Sequence, residues 1–383
     1  LRRKLNYLAL LACWLIAAPP HIEAQAPRSS TPSPLNSAIG VATIAKGLEH
    51  PWSLAFLPDK RMLVTERPGR LRVVARDGKL SEPLTGVPQV YASGQGGLLD
   101  VALSPAFEKD RLVYLSFAEA GEGGAGTAVA RGRLGEGGLE NTQVIWRQQP
   151  KLGGRNHWGS RIVFQPDGTL FVTLGERFNY SDSAQDLSTT LGKIVRINAD
   201  GSTPRDNPFV NRAGARPEIW SYGHRNVQAA ALHPDTGQLW TVEHGARGGD
   251  ELNHPEAGKN YGWPVISYGV HYSFFKIGEG TAKEGMEQPV YYWDPVIAPS
   301  GMVFYTGDLF AAWKGSILIG SLSPGLMVRL VMKDGKVAHE ERYLRHLGER
   351  IRDVRQASDG SLYILTDAGN GQLLRLTPTA TKR

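Results

Sequence analysis

The chain has 383 residues and a formal net charge of +6, with Lys and Arg scattered among acidic residues, a pattern that argues against nucleic-acid binding and leaves a small anionic ligand open. Its one cysteine, Cys13, lies in the N-terminal segment, so the folded part rests on neither disulfides nor thiolate metal ligands. Stability has to come from a packed core, and the length suffices for one.

Arg2, Arg3 and Lys4 precede an apolar run over residues 8–18, and Ala24, Gln25 and Ala26 form a small-x-small cleavage site. This predicts a signal peptide over residues 1–26 and a periplasmic or secreted mature protein. The run is too short to cross a bilayer, so no stable membrane span is expected. A lipoprotein box ending at Cys13 (LLAC) is the less favoured alternative, because it leaves an unusually short apolar run. Residues 27–40 are rich in Pro and Ser without apolar period, the composition of a disordered linker.

From residue 41 to 378 one unit recurs: a turn, alternating apolar residues, then a polar loop. Its six copies begin at Pro58, Ser104, Pro166, Pro234, Lys314 and Ser358, among them PDGTLFVTLGE, PDTGQLWTVEHG and KGSILIGSL. Short strands at such spacing, bounded by Gly, Pro, Asp or Asn, predict an all-β fold, a six-bladed β-propeller in a single domain. No blade buries both faces alone, so stacking around an axis supplies the core. The stretch VATIA at residues 41–45 is expected to add an outer strand to the last blade. The longest gap between copies, residues 245–313, is dense in Gly, aromatic and charged residues, the character of a binding loop on a rigid scaffold.

The hexad GEGGAG at residues 121–126 has the spacing of a dinucleotide fingerprint, but the TAVARGRL after it reads as a strand, where the fingerprint needs a helix N-terminus. No HExxH, GxSxG, P-loop or EF-hand pattern occurs, which weakens zinc-protease, serine-hydrolase and nucleotide-triphosphate readings. Four polar clusters fall between strands: GQGGL at 94–98, RNHWG at 155–159, GHRN at 223–226 and EHGARGGDELN at 243–253. In a propeller such loops converge at one end of the axis, where residues of different blades meet in a pocket.

Together these clusters resemble the soluble quinoprotein glucose/sorbosone dehydrogenase family, most of all its aldose sugar dehydrogenase branch. The likeness runs from GLEHPWSLAFLPD at Gly47 to RIRDVRQASDGSLYILTD at Arg350. It implies an enzyme that binds pyrroloquinoline quinone (PQQ) and Ca2+, oxidises the C1 hydroxyl of an aldose sugar to a lactone, and passes electrons to an external acceptor. In that role His157 is the catalytic base, suited to it because a neutral imidazole can take the hydroxyl proton near working pH. Arg225, beside Asn226, lies against the cofactor carbonyls, where a guanidinium stabilises the negative charge that hydride arrival builds. Gln95 donates to a quinone oxygen or a sugar hydroxyl.

The same resemblance places Arg350 and Arg352, either side of Ile351, on the cofactor carboxylates, and Ser321, Leu322 and Ser323 in a cofactor-contacting segment. Ser323 stands where the family commonly has lysine, which removes a positive charge from the expected pocket. Tyr272 is the one aromatic residue of the long loop assigned to the cofactor pocket. One calcium is expected on the carbonyls of Gly245 and Ala246, a second on the Glu251 carboxylate and the Tyr261 carbonyl. A loop His, Arg or Glu taken alone would as readily be a buried structural contact or a surface ion pair. Two other readings stay open: a calcium-dependent propeller lactonase or esterase, needing acidic and amide ligands around one axial ion, and a non-catalytic propeller that binds a sugar or a protein.

Overall fold

The computed structural model describes residues 39–379. The expected signal peptide, Cys13 and residues 27–38 of the expected linker lie outside them. Ile39 and Gly40, read as linker, already belong to the first strand, Ile39–Leu48.

Six antiparallel sheets follow one another along the chain, five of four strands and one of three. They form a six-bladed β-propeller, the architecture the repeats predict. The inner strands are Pro51–Phe56, Leu98–Leu103, Ile162–Phe164, Val227–Leu232, Pro299–Phe304 and Ile351–Gln356, in blades 1 to 6. Each touches the inner strands of both neighbouring blades, which closes the ring.

The unit repeated in the sequence is the second strand of each blade with the turn that leads into it. Met62–Glu66, Leu170–Thr173, Leu239–Glu243 and Ile317–Ser321 are buried along their whole length. A strand stacked between two blades faces apolar surface on both sides, so it reads as a near-continuous apolar run. The gap at 245–313 is not one loop. It holds the third and fourth strands of blade 4, Asp250–Asn253 and Tyr291–Trp293, and the inner strand of blade 5.

Among the described residues the core has one packet at each of the six blade interfaces and a seventh, of Trp52, Leu99, Ala118, Ala125 and Trp158, beneath the loops at one end. Leu63, Leu71, Val113 and Leu115 join blades 1 and 2; Trp240, Val242, Met302 and Ile319 join blades 4 and 5. Blade 6 meets blade 1 through Leu365, Leu373, Leu54 and Val64. Truncating any of these side chains to Ala should cost about 2–5 kcal/mol. Ile39–Leu48 pairs with Gly371–Pro378, Val41 opposite Leu376, so the VATIA stretch is the outer strand of the last blade. Among the described residues no helix is long and apolar enough to cross a membrane.

Candidate active site

The inner strands begin, and the second strands end, at the same end of the ring, so the loops there converge on the axis. They enclose a cavity of about 220 Å³ to which every blade contributes, through Trp52, Gln95, Gly159, His244, Leu322 and Arg352. Arg67, Leu99, Trp158, Gln228, Ala298 and Arg350 complete its wall. Three guanidiniums therefore face one space, and a single carboxylate answers two of them. Asp367 accepts from Arg352 at 2.7 Å and Arg350 at 3.2 Å, and pairs with His50 at 3.1 Å. Burial would raise the Asp367 carboxyl, but Arg352, then His50 and Arg350, hold it well below the usual carboxylate range.

Beside the cavity the axis is filled by charge. Arg161 meets Asp100 at 3.1 Å and Asp353 at 3.0 Å, and Arg355 meets the same two carboxylates at 3.3 and 2.9 Å. Buried ions are tolerable only when paired and hydrogen-bonded in this way. Gln228 joins this lattice to the cavity wall, accepting from Arg161 on its carbonyl and from Arg352 on its side chain.

His157 is buried, with φ +56°, and its backbone N–H donates to Gln95 Oε1 at 2.8 Å. Its Nδ1 lies 3.0 Å from Glu176 Oε1. A carboxylate only accepts, so Nδ1 carries the proton and Nε2, which meets no partner among the described residues, presents a lone pair. Burial lowers the His157 pKa; the Glu176 hydrogen bond opposes this and the charge of Arg225 adds to it. The imidazole is thereby held neutral. Arg177 braces the loop, stacked 3.5 Å from the Trp158 ring centroid and donating to the carbonyls of Ala125, Gly154 and Asn156. Phe178 stands edge-on to His157 at 5.1 Å, and the exposed Tyr272 stacks on Phe178 at 6.1 Å.

Arg225 lines a second, smaller cavity of about 20 Å³ with Glu243, Gly245, Glu251, Tyr261 and Trp263, room for one water-sized or ion-sized occupant. Its Nη1 donates to the carbonyls of His244 and Gly245, and its Nη2 to the Tyr272 hydroxyl at 3.4 Å. Burial and the facing Glu243 push the Glu251 carboxyl up. Burial also takes His244 down to about 3, and its Nε2 donates to Pro299 O at 2.7 Å.

The other expected site residues fall into two groups. Gln95, Leu322, Arg350 and Arg352 line the larger cavity, and Gly245, Glu251 and Tyr261 meet at the smaller. Asn226 is buried and ties Gly159 to Gln228, while Ala246 lies buried beside Gly245 and lines neither cavity. Ser321 turns its hydroxyl to Ile297 O, Ser323 is exposed, and Ile351 is wholly buried in the packing of blades 5 and 6. Arg67, Glu176, Arg177, His244 and Asp367 escape a reading of the loop clusters by role. Superposing the repeats would have found most of them, since they lie one to four residues past the second strands of blades 1, 3, 4 and 6.

A propeller with an axial cavity lined by arginines, flanked by a neutral histidine that is hydrogen-bonded to a glutamate, defines the class: a site fit for a polar anion beside a proton-accepting nitrogen. Residues 48–375 match the Glucose / Sorbosone dehydrogenase family, and the chain belongs to it. It is similar to the aldose sugar dehydrogenase YliI of Escherichia coli K12, 48% identical over 348 residues, covering 89% of this chain and 94% of that protein. A solved glucose dehydrogenase superposes with TM-score 0.86 at 54% identity, over 88% of this chain and 99% of the other. The PQQ-bound aldose sugar dehydrogenase of Streptomyces coelicolor superposes with TM-score 0.75 at 30% identity, over 89% and 98%.

Proposed function

We propose that this chain is a quinoprotein aldose sugar dehydrogenase that uses pyrroloquinoline quinone. The observation that carries the reading is the union, at one end of the ring, of a guanidinium-lined cavity with a histidine that burial keeps neutral and Glu176 orients. A planar polycarboxylate fits that cavity: Arg67, Arg350 and Arg352 exceed the one carboxylate beside them, Arg352 Nε is buried without a partner among the described residues, and Trp52 and Trp158 offer ring surfaces.

The quinone, when bound, supplies the two-electron acceptor for the hydride of the sugar C1. The protein does the rest. His157 Nε2 takes the C1 hydroxyl proton, Glu176 holds the ring and stabilises the imidazolium that results, and Gln95 fixes the backbone that carries it. Arg225, in the wall of the smaller cavity, stabilises negative charge on oxygen. A sugar reaches His157 past Phe178 and Tyr272, and the product of C1 oxidation is the lactone. Electrons then leave to an external acceptor.

Calcium is part of the proposal. Among the described residues no three His, Cys, Asp or Glu side chains converge as a metal site, so an ion would draw on backbone carbonyls as well as carboxylate. Glu251 and Tyr261 suit one ion in the smaller cavity. The Gly245 carbonyl, which accepts from Arg225, keeps a second lone pair for an ion shared with the Ala246 carbonyl. A hydrolytic reading is disfavoured by the axis itself, where Asp100 and Asp353 are paired with Arg161 and Arg355 rather than left for a metal. A periplasmic or secreted location follows from the expected signal peptide.

The test is reconstitution of the purified full chain with the quinone and Ca2+, followed by dye reduction with glucose and other aldoses. Turnover that needs both additions supports the reading. Quinone-specific spectral change without sugar-dependent dye reduction would leave a binding protein, and metal-dependent lactone cleavage a hydrolase.

A further inference from the structure

Arg67 differs from the other two arginines of the cavity. Arg352 is committed to Asp367 at 2.7 Å and Gln228 at 3.3 Å, and Arg350 to Asp367 at 3.2 Å and Leu322 O at 3.1 Å. The Arg67 guanidinium lines the same cavity but makes no hydrogen bond or ion pair with any described residue. Its backbone, by contrast, is fixed. Arg67 N–H donates to His50 O at 3.1 Å, and its carbonyl accepts from Leu98 N–H at 3.0 Å. Gly97 packs so closely, at φ +143°, that a Cβ there would strike the Arg67 carbonyl and side-chain stem. The residue is thus rooted at the junction of blades 1 and 2 and free only at its charged end.

Like charges gathered without a counter-ion are unfavourable, and a water-poor cavity makes them more so. The Arg352 pKa is lowered, by burial first and also by Arg350 and Arg67, which places the three guanidiniums within each other's field. With Asp367 shared by Arg350 and Arg352, the charge of Arg67 is the one left over for a ligand.

We propose that Arg67 is a cofactor-binding residue, the third guanidinium of the cavity, which pairs with a carboxylate of the bound quinone. This rests on the functional reading above. It assigns the affinity of the site to blade 1 as well as to blade 6, and it makes Arg67 the contact that only an anionic ligand can use.

The test is equilibrium binding to the cofactor-free full chain, read by quenching of tryptophan emission, since Trp52 and Trp158 line the cavity. Arg67→Ala should weaken binding of pyrroloquinoline quinone by about tenfold to a hundredfold, the usual weight of a charge-assisted hydrogen bond. Arg67→Lys should recover part of that loss. The trimethyl ester of the quinone, which lacks the carboxylate charges, should bind parent and Arg67→Ala alike. Binding of the free acid by Arg67→Ala within twofold of the parent overturns the role of Arg67, as does an equal loss for acid and ester, which marks a merely structural effect. If the parent chain itself binds neither form, the quinone reading falls and the role of Arg67 falls with it.

Discussion

The two ends of the ring are built on opposite plans. Where the inner strands finish, the turns repeat one device: an Asp side chain accepts the backbone N–H two residues on, at Asp59, Asp77, Asp167, Asp200 and Asp359, over 2.8–3.1 Å. Where the inner strands begin, the blades share no such device and each brings its own set of side chains to the cavity. Trp52, Gln95, Gly159, His244, Leu322 and Arg352 each arrive from a different blade. Repetition at one end fixes the scaffold, and departure from repetition at the other makes the chemistry.

The sharpest way to break this division is His157→Ala. Turnover should fall by about 10²–10⁴-fold, the weight of a general base, with quinone binding retained in the quenching titration. Near-normal turnover would remove His157 as the base and leave the cavity a binding site only.

A cavity-end residue that acts through stability is Asp367. Its carboxyl is depressed in the folded state, so its contribution is complete above the ordinary value of 3.8 and is lost as pH falls below that. Asp367→Asn leaves Arg352 without its counter-ion and should cost about 3 kcal/mol at pH 7. The difference from the parent should shrink as the pH is taken below 3.8, measured by urea unfolding across pH. A cost that does not change with pH would show that the Asp367 charge is not what matters.

A milder effect is expected from the His157–Glu176 pair. Because burial lowers the His157 pKa, the acid limb of kcat/KM should lie below the ordinary 6.5. Glu176 raises that pKa, so Glu176→Gln should move the limb to still lower pH while reducing kcat. A limb that moves upward would contradict the pairing. At the repetitive end, Asp200→Ala removes the bonds to Ser202 at 2.9 and 2.6 Å and should cost no more than about 1 kcal/mol, with kcat unchanged. A loss of turnover there would blur the contrast between the two ends.

The same contrast explains what the sequence made legible. Second strands such as LFVT and ILIG stand out because both faces are buried, and their recurrence yields the blade number. Inner strands are harder to see: Ile162–Phe164 is three residues long, and polar axial groups such as Arg161 and Asp353 interrupt the apolar pattern. The loop clusters pointed to Gln95 and Arg225, and the family resemblance added Arg352. They were silent on Arg67 and Asp367, whose importance lies in which arginine shares a carboxylate and which does not. That is a relation across blades, and strand periodicity carries no trace of it.

Ring closure has a last consequence. The strand Gly371–Pro378 supplies no wall residue, yet it is the seam that holds blade 6 to the chain's first strand. Six blades each hold one piece of the cavity, so no arc of the ring can keep the ligand. A shortened chain lacking that seam should lose the ligand without losing a single residue that touches it. By linkage, a ligand present at a hundred times its Kd adds about 2.7 kcal/mol to the whole ring. The occupied cavity acts as a keystone, and the melting temperature becomes a gauge of its occupancy.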